Sequence, residues 1–337
     1  MIVVLDTPAA APPVLEALGE GRTLASLFLR ANPPLIAVPG APAEQVEAVR
    51  QLPGVRQVLA GDEPVLSTRV LDDAARVVAV GPRAFGGRDV PVIAGPCSVD
   101  GEARLLAIAE GAKRAGATLL RGGAFKPRTS PYAFQGLGRE ALPLLARAKE
   151  RTGLPIVTEV LSVDDVDATC EVADLLQVGT RSMHNTALLR RLGRAPKPVL
   201  LKRGFGSHVD ELLSAAEYVL AEGNPDVILC ERGIRTFERG VRFSFDLSAF
   251  ALLKAKTRLP VVVDPSHAVG DARLVATVAR AALAAGADGL LIEVHDAPEQ
   301  ALSDKEQALT LDAFRALTDE LRPIAAAVGR TLAGEDA

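Results

Sequence analysis

From about residue 90 onward the chain repeats one unit eight times: a short unbroken apolar run, then a stretch with helical spacing. The apolar runs are Pro91–Ala94, Thr118–Arg121, Pro155–Glu159, Leu175–Val178, Pro198–Lys202, Val227–Cys230, Pro260–Asp264 and Gly289–Glu293. Runs without polar alternation are what parallel strands buried on both faces require. Helical patterns follow at Glu102–Ala115, Arg139–Arg151, Val163–Val172, Asn185–Leu192, Val209–Glu222, Leu247–Lys256, Ala272–Ala285 and from Leu311 to about Val328. Eight such units predict a (β/α)8 TIM barrel, class α/β, over residues 90–330. A doubly wound open sheet would offer a glycine fingerprint after its first strand, where this chain has Gly95-Pro96-Cys97-Ser98.

The first part reads differently. Ile2–Leu5, Leu24–Leu29, Leu35–Val38 and Val55–Leu59 are strand-like, and Pro12–Leu18 and Ala43–Leu52 are helical in pattern. That order, βαββαβ, predicts a small ferredoxin-like α+β domain over residues 1–65. Residues 66–89 are a linker and hairpin, with Val77–Val80, Gly81–Pro82 and Gly86–Gly87 leading into Val90–Ala94.

Composition narrows the function classes. Three cysteines and four histidines in 337 residues exclude a disulfide framework or a zinc-finger array and suit a reducing cytosol. A net charge of −4 gives no reason to expect nucleic acid. Asp6 cuts short any signal core, and Gly286, Asp288 and Gly289 break the longest apolar stretch, so neither a leader nor a membrane span is expected. The expected location is cytoplasmic.

In a barrel of this kind the chemistry stands at the C-terminal ends of the strands. Strand one ends at Cys97, strand seven at Asp264 and His267, strand eight at Glu293, with Asp304 in the following loop. Closure makes strands seven, eight and one neighbours, so Cys97, His267, Glu293 and Asp304 converge. A thiolate, an imidazole and two carboxylates suit one divalent transition metal ion: manganese, iron, cobalt or zinc. Cys170 reads as packing, His184 and His208 as caps or exposed residues, and His295 is ambiguous.

The other half of the mouth is cationic. Strand two leads to Arg121, Lys126 and Arg128 with the hydroxyls of Thr129 and Ser130; strand four leads to Arg181. Strand five ends in Lys202 and Arg203, and strand six leads to Arg232 and Arg235. Four consecutive basic strand ends followed by glycine-rich backbone describe a site for oxyanions. The three negative charges of the ligand set exceed those of a divalent ion, so the cations must hold the substrate anions. Arg121, Lys126, Arg128, Arg181, Lys202 and Arg232 suit roughly two phosphates and a carboxylate. A carbonyl polarised by the metal would complete a carbon–carbon bond-forming reaction between two anionic substrates.

The segments IAGPCSVDG, LLRGGAFKPRTSPYAFQGLG, LLQVGTRSMHN, PVLLKRGFG, ILCERGIRTFE, VVVDPSHAVG and EVHDAPEQALSD resemble, in order, the motifs of type I 3-deoxy-D-arabino-heptulosonate 7-phosphate (DAHP) synthases. The resemblance is to the short microbial branch related to 3-deoxy-D-manno-octulosonate 8-phosphate synthase, and covers about residues 90–325. It implies condensation of phosphoenolpyruvate with erythrose 4-phosphate and water to DAHP and phosphate, the first step of the shikimate pathway. It also implies a homotetramer, and a regulatory N-terminal domain answering to tyrosine or phenylalanine. Cys97, His267, Glu293 and Asp304 match the metal ligands of that family. Arg121, Lys126, Arg181, Lys202 and Arg232 match its phosphoenolpyruvate site, and Arg128, Thr129 and Ser130 the segment holding the erythrose phosphate. Lys126 stands where a proton donor to the new hydroxyl is plausible; with Cys97 and His267 it forms the catalytic set.

The chain departs from the family pattern at Asp296, where proline is usual, at Ser182 and His184, where Asn and Gln are usual, and at Gly270, which stands for a glycine pair. No departure removes a ligand or phosphate contact. The alternatives are octulosonate phosphate synthesis from arabinose 5-phosphate, disfavoured by the KPRTS segment, and a catalytically silent metabolite sensor, disfavoured by the complete set of ligands and cations.

Overall fold

The computed structural model describes residues 1–128 and 130–334. Four antiparallel strands, Ile2–Leu5 (β1), Ser26–Phe28 (β2), Leu35–Ala37 (β3) and Val55–Leu59 (β4), form a sheet in the order β2-β3-β1-β4. Helices Ala11–Ala17 (α1) and Ala43–Arg50 (α2) complete a ferredoxin-like βαββαβ unit. Alternation along β1 divides its labour. Val3 and Leu5 are buried with Val14, Leu18 and Val49 of the helices, whereas Ile2 and Val4 belong to the apolar cluster of the barrel helices. A cleft of about 750 Å³ lies between this unit and the barrel, lined by Phe28, Leu35, Arg190, Glu217 and Tyr218 among others.

The connecting segment is anchored to the barrel. Ser67 is fully buried, with its N–H and hydroxyl both donating to Glu217. Next, Val78–Val80 (β5) and Arg83–Phe85 (β6) form a hairpin about the Gly81-Pro82 turn. The hairpin falls inside the 66–89 segment, and the chain reverses within two residues. Asp89–Val90 (β7) instead pairs in parallel with the C-terminal Thr331–Leu332. Val78, Val80 and Phe85 are buried with the residues that fill the barrel, and so close its floor.

Eight parallel strands close the barrel: Val92–Gly95 (β8), Leu119–Arg121 (β9), Ile156–Glu159 (β10), Leu175–Val178 (β11), Val199–Lys202 (β12), Val227–Glu231 (β13), Val261–Val263 (β14) and Gly289–Glu293 (β15). The principal helices after them are Glu102–Arg114 (α3), Ala141–Thr152 (α4), Val166–Val172 (α5), Thr186–Leu192 (α6), Val209–Ala221 (α7), Leu247–Lys256 (α8), Pro265–Val269 (α9), Ala272–Ala284 (α10) and Leu311–Ala327 (α11). Strand alternation builds the interior. Ile93, Leu119, Val157, Leu175, Leu200, Ile228, Val262 and Leu291 fill the barrel. Two residues further on, on the same face, stand Arg121, Glu159, Gln177, Lys202, Cys230, Asp264 and Glu293. The apolar layer is thus the floor on which a largely polar layer stands. Among the described residues no helix is long and apolar enough to cross a membrane.

Candidate active site at the barrel mouth

Cys97 reaches the mouth because glycines let two strand ends meet closely. A Cβ on Gly95 would lie 2.1 Å from the Arg121 carbonyl oxygen, and one on Gly123 2.3 Å from the Cys97 carbonyl oxygen. His267 lies on α9, a single turn whose N-cap is Asp264. The Asp264 carboxylate accepts from the His267 backbone N–H at 2.9 Å and stands 2.9 Å from His267 Nδ1. Glu293 ends β15, and Asp304 is the one described non-glycine residue with positive φ, at 51°. That conformation disfavours L residues, though aspartate tolerates it better than most.

One potential ligand atom from each of Cys97, His267, Glu293 and Asp304 lies within 4.8 Å of the other three. A shared ion with bonds of about 2.0–2.3 Å would place its donors roughly 3–4 Å apart, so modest closure seats it. The surroundings fit as well. The Asp264 carboxylate lies on the Nδ1 side of the His267 ring, and Nε2 is 3.9 Å from Cys97 Sγ and 3.8 Å from Glu293. Gln307 donates to Glu293 at 2.7 Å. Burial pushes His267 down to about 3, which keeps the imidazole in its neutral, ligating form. Burial, reinforced by Glu293, pushes the Cys97 thiol up to about 11, and burial raises Glu293 to about 7. A bound cation would reverse both of these last shifts.

The cationic half interlocks with the metal half. Arg121 Nη2 donates to Cys97 Sγ at 3.0 Å, while its Nη1 is buried without a hydrogen-bond partner, 3.5 Å from Glu293. Lys126 Nζ hydrogen-bonds Cys97 Sγ and donates to Asp304 Oδ2 at 2.6 Å. Burial would lower the Lys126 ammonium, but Cys97 and Asp304 raise it above its ordinary value. Lys202 pairs with Asp264 at 2.5 Å. Arg121, Lys126, Arg128, Ser130, Arg181, Lys202, Arg232, His267 and Asp304 all line one cavity of about 260 Å³. Cys97 and Glu293 meet it through Arg121 and Lys126, and Thr129 lies outside the described residues. Arg128, like Arg121, has a buried Nη1 without a partner. Unpaired buried donors facing one cavity make a receptor for anions.

Arg203, Arg235, His208 and His295 do not line this cavity. Arg203 is buried with Glu231 at 2.7 Å and donates to the Ser207 carbonyl, so it ties the loop after β12 to the end of β13. His295 stands 3.0 Å from Asp296, outside the group of four ligands. His208 caps α7, its N–H donating to Glu211 at 2.7 Å. The structure also adds Glu159, Gln177 and Arg242 to the cavity wall. Glu159 is raised by burial, and its Oε1, like the Gln177 Oε1, is buried without a partner. Both lie two residues beyond an apolar barrel position, a signal present in the sequence. Arg242 donates to Asp304 at 2.9 Å from a loop with no such periodicity.

The model of the "DAHP synthetase I family" matches residues 72–327. The chain belongs to this family. It is 46% identical over 253 residues, 75% of each chain, to the phospho-2-dehydro-3-deoxyheptonate aldolase of Thermotoga maritima. It is 35% identical over 263 residues to the 2-dehydro-3-deoxyphosphooctonate aldolase of Syntrophotalea carbinolica, 72% of this chain and 94% of that one. The crystal structure of the Thermotoga maritima phospho-2-dehydro-3-deoxyheptonate aldolase (DAHP synthase) superposes with a TM-score of 0.79 at 36% identity, covering 98% of both chains. That coverage takes in the N-terminal unit of this DAHP synthetase I family member as well as its barrel.

Proposed function

We propose that this chain is a 3-deoxy-7-phosphoheptulonate synthase, a transferase that joins phosphoenolpyruvate to D-erythrose 4-phosphate in the shikimate route to aromatic amino acids. One observation carries the reading: four potential metal donors cluster at the barrel mouth, and two of them, His267 and Asp304, line the same cavity as a wall of cations. Cys97, His267, Glu293 and Asp304 would hold one divalent ion of manganese, iron, cobalt or zinc. When bound, that ion supplies Lewis-acid polarisation of a carbonyl and stabilises developing negative charge.

The chain's own residues do the rest. Arg121, Lys126, Arg181, Lys202 and Arg232 bind the phosphate and carboxylate of phosphoenolpyruvate. Arg128, Thr129 and Ser130 hold the phosphate of erythrose 4-phosphate. C3 of phosphoenolpyruvate bonds to the aldehyde carbon, and Lys126, held as an ammonium by Cys97 and Asp304, gives a proton to the new hydroxyl oxygen. Water adds at C2, its proton passing to Glu159, whose Oε1 is otherwise unpartnered. The C2–O bond to phosphate then breaks as the new C2 hydroxyl becomes the ketone, and the hydroxyl proton leaves with inorganic phosphate.

A homotetramer, an aromatic amino acid effector and a cytoplasmic location belong to the same reading, the last in keeping with three unpaired cysteines. The test is phosphate release from phosphoenolpyruvate with erythrose 4-phosphate or arabinose 5-phosphate, each with and without EDTA. We expect turnover with the four-carbon aldose that EDTA abolishes. Preference for arabinose 5-phosphate would make the chain an octulosonate phosphate synthase, and turnover indifferent to EDTA would remove the metal. No turnover with either would leave the sensor.

A further inference from the structure

The loop after β13 folds back on itself through a bridge between Ile234 and Ser244. It lays Phe243 flat on Phe205 of the loop after β12, with ring centroids 5.2 Å apart and planes 5° from parallel. Four guanidinium groups gather on this pair. Arg232 lies 4.1 Å from the Phe243 centroid and 5.3 Å from that of Phe205. Arg181 and Arg235 lie 5.1 and 4.9 Å from the Phe205 centroid, and Arg242 5.5 Å from that of Phe243. Arg181, Arg232, Arg242 and Phe205 line the candidate active-site cavity.

Cations crowded this way repel one another. Burial, reinforced by Arg242, takes Arg232 down to about 10; Arg181 is lowered by the same two causes. An aliphatic pair of equal bulk would pack the two loops together but give the charges nothing. Aromatic faces carry negative potential and attract guanidinium groups.

We propose that Phe205 and Phe243 are positioning residues whose stacked rings hold Arg181, Arg232, Arg235 and Arg242 as one anion-gathering set. The pair therefore governs how tightly the mouth grips the phosphate and carboxylate of its substrate. This inference rests on the assignment of the cavity to phosphoenolpyruvate.

The test compares Phe205→Leu and Phe243→Leu with Phe205→Tyr and Phe243→Tyr in the full-length, metal-loaded protein. Calorimetry reads the Kd of phosphoenolpyruvate and of inorganic phosphate; steady-state rates read KM and kcat separately. Each leucine variant is expected to weaken both ligands about fivefold, the scale of one lost cation–π contact, with KM changing more than kcat. Each tyrosine variant is expected to retain most of the affinity. Wild-type affinity in folded leucine variants would overturn the proposal, as would tyrosine variants that fail equally. Should leucine unfold the protein, fluorinated phenylalanines at position 205 keep the ring's shape while draining its negative face. Kd should then rise with each added fluorine, and a constant Kd would overturn the proposal. If the wild-type protein turns over neither aldose phosphate, the functional reading fails, while phosphate binding still decides the role of the ring pair.

Discussion

Asp304 shows how much one residue is asked to do. Its carboxylate receives Lys126 and Arg242, stands 3.0 Å from Cys97 Sγ, and sits on backbone that L residues avoid. Burial would raise this carboxyl, yet the Lys126 ammonium and the hydrogen bonds from Lys126 and Cys97 hold it far below the usual carboxylate range. It is ionised and ready to ligate. Cys97→Ala and His267→Ala should each leave the fold intact, since nearby packing is unaltered, but retain less than a tenth of the wild-type metal content by elemental analysis. Turnover should fall about 100-fold or more; full metal retention in both would remove the assigned centre. Glu159 makes a prediction of opposite sign for stability and activity. Its folded pKa is raised, with burial the largest cause, so its favourable contribution is complete below the ordinary carboxyl value and is lost as pH rises through the folded value. Glu159→Gln, neutral throughout, should gain stability over wild type in urea unfolding at pH 8 and show little gain at pH 4. Its kcat should fall about tenfold or more as a proton acceptor is lost. Equal stability differences at both pH values would show that the carboxyl does not titrate in this way. Of the four candidate metal donors, Cys97, His267 and Glu293 are legible because they stand at or just beyond strand ends, while Asp304 is placed only by the loop that follows β15. Glu159 carries the strand period, two residues beyond the buried Val157, but a single acidic residue closing an apolar run reads equally as a strand's exit into water. Arg242 left no trace, since a loop's path depends on packing that no local pattern encodes.

At the scale of elements, several strand boundaries moved by a residue for a simple reason. Pro91, Pro155, Pro198 and Pro260 have no N–H to give the ladder, so regular pairing begins at the next residue. The floor hairpin was harder to read, because Gly81-Pro82 and Gly86–Gly87 offer two turn signals and only burial of Phe85 beneath the barrel selects the first. The departure at Asp296 acquires a role at this scale. Its carboxylate lies 3.4 Å from Arg104 of α3 and 3.0 Å from His295, while Arg104 also donates to the Gln300 side-chain oxygen at 2.6 Å. Ser98, next to Cys97, and Ser303, next to Asp304, meet at 2.9 Å. These contacts fasten the loop bearing Asp304 to the element that follows Cys97. Asp296→Ala should therefore weaken metal retention a few-fold in competition with a chelator, by loosening one ligand. The melting temperature should move by no more than about 2 °C, because the ion pair is partly exposed. Unchanged metal affinity would reduce the contact to surface decoration.

For the whole molecule, the question is what the N-terminal unit does for a barrel that already contains the whole candidate site. Its sheet turns one face to its own helices and gives Ile2, Val4 and Leu35 to the cluster shared with the barrel. A shift of that sheet therefore changes what packs on the barrel helices, a physical route by which an effector could act. The same contacts decide where a truncation must fall. Removing residues 1–65 would strip Val65, which is buried, and disturb the segment whose Ser67 satisfies Glu217. Burial raises Glu217, and the Ser67 hydrogen bonds are the chief groups that offset it, so losing them would leave a poorly solvated carboxyl. A cut after residue 62 spares this anchor. The shortened protein should melt roughly 5 °C lower, as a few buried apolar side chains lose their cover. Its kcat on phosphoenolpyruvate and erythrose 4-phosphate should stay within about threefold of wild type, since every site residue lies beyond residue 90. Inhibition by tyrosine or phenylalanine, measured as the fall in initial rate across a concentration series, should be present in the full chain and absent from the shortened one. If both respond alike, the effector acts on the barrel itself; if neither responds, the N-terminal unit serves the barrel by covering its helices.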